Sequence, residues 1–274
     1  MPLWLRKPVA ILTFGMFFVS GILLGSVFVP LTRLVFWNSE RRRARVTRFL
    51  QFLYPIFCWW MKFVGLIEYQ RFVPPKGWPT DGPYVLVSNH PTLIDTLFML
   101  AWMPRLTCVV KGSWYDRFVL RWLMRATNYI PGPGYAGDEE EETPVFDRMV
   151  EHLQKGFPLL VFPEGTRAPP DTLLRFRRGG FEAAIRARVP ILPVFIGVDN
   201  AGLTKGVPLS PRLMTYTFEP MPWTDTRTGE HDARDLCAHY AALYETRHRR
   251  YLADRDATSS ATASSVSDNL GSRT

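Results

Sequence analysis

The chain has 274 residues, of which 47% are hydrophobic, and a formal net charge of +8 at pH 7. This size and composition predict one core of about 200 residues with shorter appendages. Three widely spaced cysteines, Cys58, Cys108 and Cys237, exclude a disulfide framework or a cysteine metal cluster and are typical of a reducing compartment. The positive charge predicts attraction to an anionic surface, but does not by itself distinguish a membrane from nucleic acid.

The amino-terminal segment predicts a membrane helix. Arg6 and Lys7 precede a stretch from Pro8 to Thr32 that contains no charged residue. A bilayer core of about 30 Å requires about 20 such residues. The stretch is longer than the apolar part of a signal peptide, and no small-residue cleavage site follows it. We therefore expect a spanning or deeply embedded helix.

A basic cluster and a second apolar segment follow this helix. The segment Phe49–Tyr69 contains Trp59 and Trp60 and is interrupted by charges, which predicts an interfacial helix. The cluster should face the cytoplasm and the anionic leaflet, and its apolar neighbours argue against nucleic acid. Residues 1–68 are thus predicted to form a membrane anchor of two helices. The cluster comprises Arg33, Arg41, Arg42, Arg43, Arg45 and Arg48.

Strands and helices alternate between residues 69 and 256, which predicts an α/β domain with a mostly parallel sheet flanked by helices. Pro190 and Pro193 indicate that the fourth strand lies at an edge or carries a bulge. A charged helix is expected over Asp232–Leu252, and the Ser/Thr/Ala-rich residues 257–274 are expected to be disordered. The predicted strands are Tyr84–Val87, Arg105–Lys111, Leu159–Phe162, Val189–Ile196 and Leu213–Phe218.

An acidic run, Asp138–Glu142, precedes Thr143 and Pro144, which are typical of a helix cap and a first-turn proline. Acidic side chains at that place favour the helix dipole. A solvated helix start is therefore the better interpretation of this run than a divalent-metal site.

The first chemically suggestive stretch follows the strand Tyr84–Val87. His90 lies at a predicted strand-to-helix junction, with Pro91 in the first turn of the helix and Asp95 about a turn and a half into it. A carboxylate at this spacing can reach one imidazole nitrogen and fix the tautomer of a general base. Taken alone, however, the spacing favours the simpler interpretation of a surface histidine beside a helical aspartate.

The second stretch, Pro163–Glu164–Gly165–Thr166–Arg167, follows the buried strand Leu159–Phe162. Backbone amides, a hydroxyl and a guanidinium in one turn are suited to phosphate, and loops after strands hold ligands in α/β sheets. An ordinary turn is the alternative for this stretch taken alone.

Together these stretches resemble the PlsC-type phospholipid and glycerol acyltransferase family, which contains the 1-acylglycerol-3-phosphate acyltransferases. His90 and Asp95 match its H-x4-D motif, and Phe162–Arg167 matches its FPEGTR motif. Phe176–Gly180 and Val189–Val194 resemble its basic-glycine and apolar-proline segments. The resemblance covers about Tyr84 to Ile196, and the amino-terminal segments are similar to those of the family too.

The resemblance implies transfer of an acyl group from a thioester, on CoA or acyl carrier protein, to a lipid hydroxyl. His90 is implied to be the general base, oriented by Asp95. The implied acceptor site comprises Glu164, Gly165, Thr166 and Arg167, with Lys111 as a further phosphate ligand. No metal, cofactor, nucleic acid or obligate protein partner is expected. The implied location is a bacterial-type inner membrane, with the catalytic domain on the cytoplasmic side.

One departure leaves the acceptor open. The family usually has a second motif with an arginine that binds glycerol phosphate, whereas no arginine lies between Arg125 and Arg148 here. Either Lys111 or Arg167 compensates, or the acceptor is not a simple lysophosphatidate. A specialised lipid of the aryl-polyene type is the second acceptor class, and a membrane-anchored thioesterase that uses water is the second enzyme class. The absence of a G-x-S-x-G elbow agrees with direct attack by the acceptor.

Overall fold

The computed structural model describes residues 2–35, 37–117, 121–132, 145–202, 204, 210 and 212–271. Seven strands within this part of the chain form one sheet in the order β1-β7-β6-β2-β5-β3-β4. The strands are β1 (Ile67–Tyr69), β2 (Val85–Ser88), β3 (Thr107–Val110), β4 (Ile130–Pro131), β5 (Leu159–Val161), β6 (Ile191–Asp199) and β7 (Met214–Pro220). Of the adjacent pairs, only β6 and β7 are antiparallel, so the prediction of a mostly parallel sheet is confirmed.

Helices cover both faces of the sheet. They are α1 (Leu3–Leu23), a π-helical turn (Leu24–Phe28), α2 (Val29–Val35), α3 (Ser39–Phe63), α4 (Asp95–Trp102), α5 (Ser113–Asp116), α6 (Arg121–Arg125), α7 (Val145–Gln154), α8 (Gly179–Ala187) and α9 (Ala233–Gly271). The acidic run and the cap predicted at residues 138–144 lie outside the described residues.

The central strands divide their side chains between two apolar layers, as the alternation of a strand requires. Leu86 belongs to one layer, which contains the buried faces of α3 and α4. Val85 and Val87 belong to the other, which contains those of α7, α8 and the first part of α9. Burial on both faces explains why β2 and β5 are continuous apolar runs in the sequence.

The strand β6 is central, so the first of the two predicted alternatives, an edge strand, was wrong. It is paired with β2 on one side and with β7 on the other. Pro193 is compatible with this position because the ladder to β7 begins only at Val194, and a proline at the end of a ladder removes no interior hydrogen bond there.

One helical segment, Trp4–Thr32, is long and apolar enough to cross a membrane. Both of its ends contact the rest of the protein. The Arg6 guanidinium donates hydrogen bonds to the carbonyl oxygens of Gly65, Leu66 and Ser210. Toward the other end, Gly25 packs closely against Leu123 of α6: if Gly25 carried a Cβ, this atom would lie only 3.3 Å from Cβ of Leu123.

The helix α3 begins earlier than the predicted interfacial segment, because Asn38 caps it by accepting a hydrogen bond from the Arg41 amide at 3.0 Å. The arginine cluster from Arg41 to Arg48 is therefore helical. The helix also ends earlier, at Phe63, and Ile67–Tyr69 at the end of the predicted segment is strand β1 of the sheet.

The last helix is longer than predicted. It continues past Leu252 and reaches Gly271, so residues 257–271 are helical where composition predicts disorder. No glycine or proline interrupts the sequence before Gly271, and the alanines of this segment favour helix.

Candidate active site

His90 follows β2 at the carboxyl edge of the sheet, and its main chain is held on both sides. Its amide donates to Oε1 of Glu164 at 2.8 Å, and its carbonyl oxygen accepts from the Ala168 amide at 3.0 Å. The preceding residue, Asn89, is buried and exchanges two hydrogen bonds with the main chain of Ile196 on β6. These contacts explain how a residue outside regular structure is fixed in place.

The imidazole of His90 is oriented by Asp95. Nδ1 lies 3.1 Å from Oδ2 of Asp95, whose side chain is fully buried, whereas the His90 side chain is 16% exposed. Oδ2 of Asp95 also accepts from the Thr92 amide, so it acts as an acceptor toward the imidazole as well; Nδ1 then carries the proton and Nε2 has a free lone pair. Within the described chain Nε2 forms no hydrogen bond. The predicted pairing of His90 with Asp95 is thus present in the structure.

The helix after His90 starts later than predicted. Pro91 is not in its first turn, and α4 begins at Asp95 itself. Thr92 and Asp95 are joined by two hydrogen bonds at the turn that precedes this helix. The Thr92 amide donates to Oδ2 at 2.6 Å and the Thr92 hydroxyl to Oδ1 at 2.5 Å. The amide contact is the one that an acidic residue makes in a capping box.

The hydrogen-bond chain extends to a distant strand. The Thr92 hydroxyl oxygen lies 2.9 Å from the hydroxyl of Tyr216 on β7. Burial raises the pKa of Tyr216 well above its usual value, so the phenol remains a donor. Because Thr92 donates to Asp95, Tyr216 donates to Thr92. Tyr216, Thr92, Asp95 and His90 therefore form one ordered chain of hydrogen bonds.

Glu164 is directed into the protein. It is 3% exposed, and its two carboxylate oxygens accept from the amides of His90 and Leu174, each at 2.8 Å. Burial raises the pKa of Glu164 above its usual value of 4.5, and the two amide donors oppose this shift. The sequence suggested contact with an acceptor, but these contacts lead us to interpret Glu164 as a positioning residue for His90.

The loop that contains Glu164 has an exposed tip. Gly165 and Thr166 are exposed and Arg167 is half-buried. Gly165 has a φ of +71°, which favours glycine. Since Glu164 and Ala168 at the two ends of this tip both bond to the His90 main chain, residues 165–167 are tethered next to His90.

Lys111 follows β3 at the same edge and is exposed. The strand β5 separates β3 from β2. Because neighbouring strands are about 4.8 Å apart, Lys111 starts about 10 Å along the edge from His90. The structure therefore places all the predicted residues at one edge, with Lys111 as the most peripheral.

The sequence interpretation missed Thr92, Tyr216 and the stacking partner of His90. The Phe162 ring lies 4.0 Å from the imidazole, centroid to centroid, at an interplanar angle of 14°. The spacing of Thr92 and Asp95 is a capping-box signal that was available in the sequence. No local signal indicates Tyr216, which is 124 residues from Thr92.

The family model that matches the chain is that of the acyltransferases, and it covers residues 70–197. This range includes β2, β3, β5 and most of β6, together with all the site residues except Tyr216. The match therefore falls on the part of the chain that forms the candidate site.

Curated relatives are acyltransferases of one kind. The chain is 32% identical over 123 residues to the human 1-acyl-sn-glycerol-3-phosphate acyltransferase alpha, covering 42% of this chain and 41% of that protein. It is 28% identical over 152 residues to the 1-acyl-sn-glycerol-3-phosphate acyltransferase of Pseudomonas aeruginosa, covering 53% and 54%. It is 29% identical to the chloroplastic 1-acyl-sn-glycerol-3-phosphate acyltransferase BAT2 of Brassica napus, and the match covers 42% of this chain and 33% of that protein. The chain thus spans about a third to a half of the length of these relatives.

The fold is similar to that of a solved structure. The crystal structure of the 1-acyl-sn-glycerophosphate (LPA) acyltransferase PlsC from Thermotoga maritima superposes with a TM-score of 0.67. The superposition covers 89% of this chain and 97% of that one, at 20% sequence identity. This likeness concerns the fold.

Proposed function

We propose that the protein transfers an acyl group from a thioester to the free hydroxyl of 1-acyl-sn-glycerol-3-phosphate, because the acyltransferase family model matches residues 70–197. The donor is acyl-CoA or acyl carrier protein. The observation that carries the proposal is the partly exposed imidazole of His90, with Nδ1 3.1 Å from the buried Asp95 carboxylate.

In the proposed reaction, Nε2 of His90 removes the proton of the acceptor hydroxyl while its oxygen attacks the thioester carbonyl carbon. Asp95 stabilises the imidazolium that forms. When the tetrahedral intermediate collapses, the carbon–sulfur bond breaks, and the imidazolium returns its proton to the thiolate. The products are the ester and a free thiol, and the acyl group is never bound to the protein.

The negative charge that develops on the thioester oxygen requires a hydrogen-bond donor nearby. The Gly165 amide already donates to the Phe162 carbonyl at 2.9 Å, and the Thr92 amide donates to Asp95. Backbone amides near Gly165 and near the start of the helix are the expected donors. Since the Gly165 and Thr92 amides are already used, we propose that the Thr166 amide in the exposed tip donates to the thioester oxygen. A single donor of this kind contributes about 3 kcal/mol.

We propose that the protein acts at a membrane surface, on the cytoplasmic side of a bacterial-type inner membrane. Arg6 and Gly25 are about 28 Å apart along a helix, yet both contact the rest of the protein. This arrangement favours a helix embedded from one side over one that leaves the domain to span the bilayer. Its outward face is apolar, with Trp4, Ile11, Leu12, Val19 and Leu23 exposed.

The helix α3 extends this apolar surface. Phe52, Ile56, Trp59 and Phe63 recur on one helical face and are between 49% and 68% exposed. A soluble protein rarely exposes such a continuous apolar patch, whereas an interfacial helix requires one. The arginines at the start of α3 are suited to anionic lipid headgroups.

The direct test of the activity incubates the purified protein in neutral detergent with one acyl-CoA and a panel of lysolipids, followed by mass spectrometry. The proposal predicts diacylated product from 1-acyl-sn-glycerol-3-phosphate and none from the His90→Ala variant. Transfer only to a different acceptor would support the specialised-lipid alternative, which the missing second-motif arginine favours. Thioester hydrolysis undiminished by omission of the acceptor would support the thioesterase.

A further inference from the structure

The side chain of Arg177 lies against the exposed tip of the candidate site. If Gly165 carried a Cβ, this atom would lie 3.1 Å from Cζ and Nε of Arg177 and 3.3 Å from Nη1. The Arg177 guanidinium thus lies close to Gly165. The Arg177 amide also donates to the carbonyl oxygen of Pro163 at 2.8 Å. Both the main chain and the side chain of Arg177 therefore contact the loop that is hydrogen-bonded to the His90 main chain.

This contact gives Gly165 a second reason to be glycine. Its φ of +71° already favours glycine, and a Cβ would also require the Arg177 guanidinium to shift by a few tenths of an ångström. Glu164, the neighbour of Gly165, bonds to the His90 amide. The Arg177 guanidinium therefore lies against the residue that follows Glu164, and Glu164 is hydrogen-bonded to His90.

Two other arginines of this part of the protein are paired with carboxylates, whereas, among the described residues, Arg177 is not. Arg178 faces Glu182 at 3.9 Å, and Arg255 forms a hydrogen bond with Asp171 at 2.6 Å. In the part of the chain that the structure describes, Arg177 forms no salt bridge, and its side chain is exposed. A planar guanidinium with free N–H groups is a bidentate ligand for phosphate.

We propose that Arg177 binds the phosphate of the acceptor lipid, in the role that the missing second-motif arginine leaves vacant. The inference rests on the proposed function. Arg177 lies against the exposed tip, whereas Lys111 follows β3, which is two strands away from β2 in the sheet. It is an acceptor-binding residue that selects phosphate-bearing acceptors over neutral ones.

The test measures binding separately from turnover. In the His90→Ala background, the Kd of 1-acyl-sn-glycerol-3-phosphate in neutral detergent is compared with and without Arg177→Ala. Loss of a charge-assisted contact should weaken binding about 10- to 100-fold, and Arg177→Lys should recover part of it, because a lysine keeps the charge but not the fork. Binding of a monoacylglycerol with the same acyl chain should be unchanged.

Arg178→Ala is the matched control, because it removes the neighbouring exposed arginine of the same segment and should leave both affinities unchanged. Thermal unfolding of each variant establishes that it is folded. An Arg177→Ala variant that binds the phosphate lipid within about twofold of its parent would overturn the inference, even if the wild-type enzyme acylates that lipid. Conversely, Arg177-dependent binding in a protein without transferase activity would support the phosphate site while the proposed function fails.

Discussion

The carboxylate of Glu164 holds the amide of His90 at 2.8 Å and thereby joins the loops that follow β5 and β2. Its second oxygen holds the Leu174 amide at the same distance. A buried carboxylate with two main-chain partners fixes the relative positions of the segments that those partners belong to. Through this hydrogen bond, Glu164 fixes the position of the segment Phe162–Arg167 relative to His90.

Glu164→Gln should change how stability depends on pH. Burial raises the pKa of Glu164 in the folded protein above its usual value of 4.5. The stabilisation that this shift confers is therefore fully present below pH 4.5 and is lost as the pH rises through the folded-state pKa, at about 1.4 kcal/mol per pH unit. Glutamine does not titrate, so the stability of the variant does not change for this reason. The free energy of unfolding of wild type relative to the variant should therefore decline between pH 4.5 and the folded-state pKa of Glu164.

Urea unfolding at a series of pH values measures this difference. His152, whose pKa burial lowers to about 4, titrates in both proteins, so its effect cancels in the comparison. Parallel stability curves for wild type and Glu164→Gln across the window would show that the carboxyl group does not titrate as its burial requires.

Asp95→Asn should reduce kcat by about 10³- to 10⁴-fold with little change in fold, because an amide cannot hold the same tautomer of His90. Steady-state acyl transfer measures the loss. Asp81→Asn, at an exposed loop position, is the matched control and should retain wild-type turnover. A decrease of less than about tenfold in the Asp95 variant would mean that the carboxylate does not orient the base.

Tyr216→Phe should lower kcat by about five- to tenfold, because it removes the donor to Thr92 and loosens the chain that ends at Asp95. Tyr240→Phe is the control. The Tyr240 hydroxyl lies 2.7 Å from the Thr224 hydroxyl, and its ring belongs to the other apolar layer. Both variants should lose similar stability, and only Tyr216→Phe should lose turnover. Equal effects on kcat would reduce Tyr216 to a structural residue.

The double variant Ile56→Lys/Trp59→Lys should bind vesicles of anionic and neutral phospholipid more weakly, because it places two charges on the apolar face of α3. Sedimentation with vesicles measures the bound fraction. Glu245→Lys on α9 changes the net charge by the same amount and should bind at least as well as wild type. Unchanged binding of the double variant would exclude this face as the membrane contact.

Local patterns predicted much of the sheet and part of the site. The apolar runs identified β2 and β5 because burial on both faces leaves no polar positions. The spacing of His90 and Asp95 was suggestive, but the pair was singled out only together with the Phe162–Arg167 segment. The central position of β6 was not predictable in the same way, since Pro193 is tolerated only because the ladder to β7 starts one residue later. Tyr216 is connected to Asp95 through a tertiary contact that leaves no periodicity in the sequence. Arg177 lies in the segment matched to a basic-glycine motif, but its contact with Gly165 was not predictable from that match.

The most direct measurement of the central claim is acyl transfer by wild type and His90→Ala under identical conditions, from acyl-CoA to 1-acyl-sn-glycerol-3-phosphate, with folding and vesicle binding verified for both. Loss of the general base should lower kcat by about 10²- to 10⁴-fold while vesicle binding is unchanged. Turnover by His90→Ala at the wild-type rate would contradict the assignment of His90 as the base.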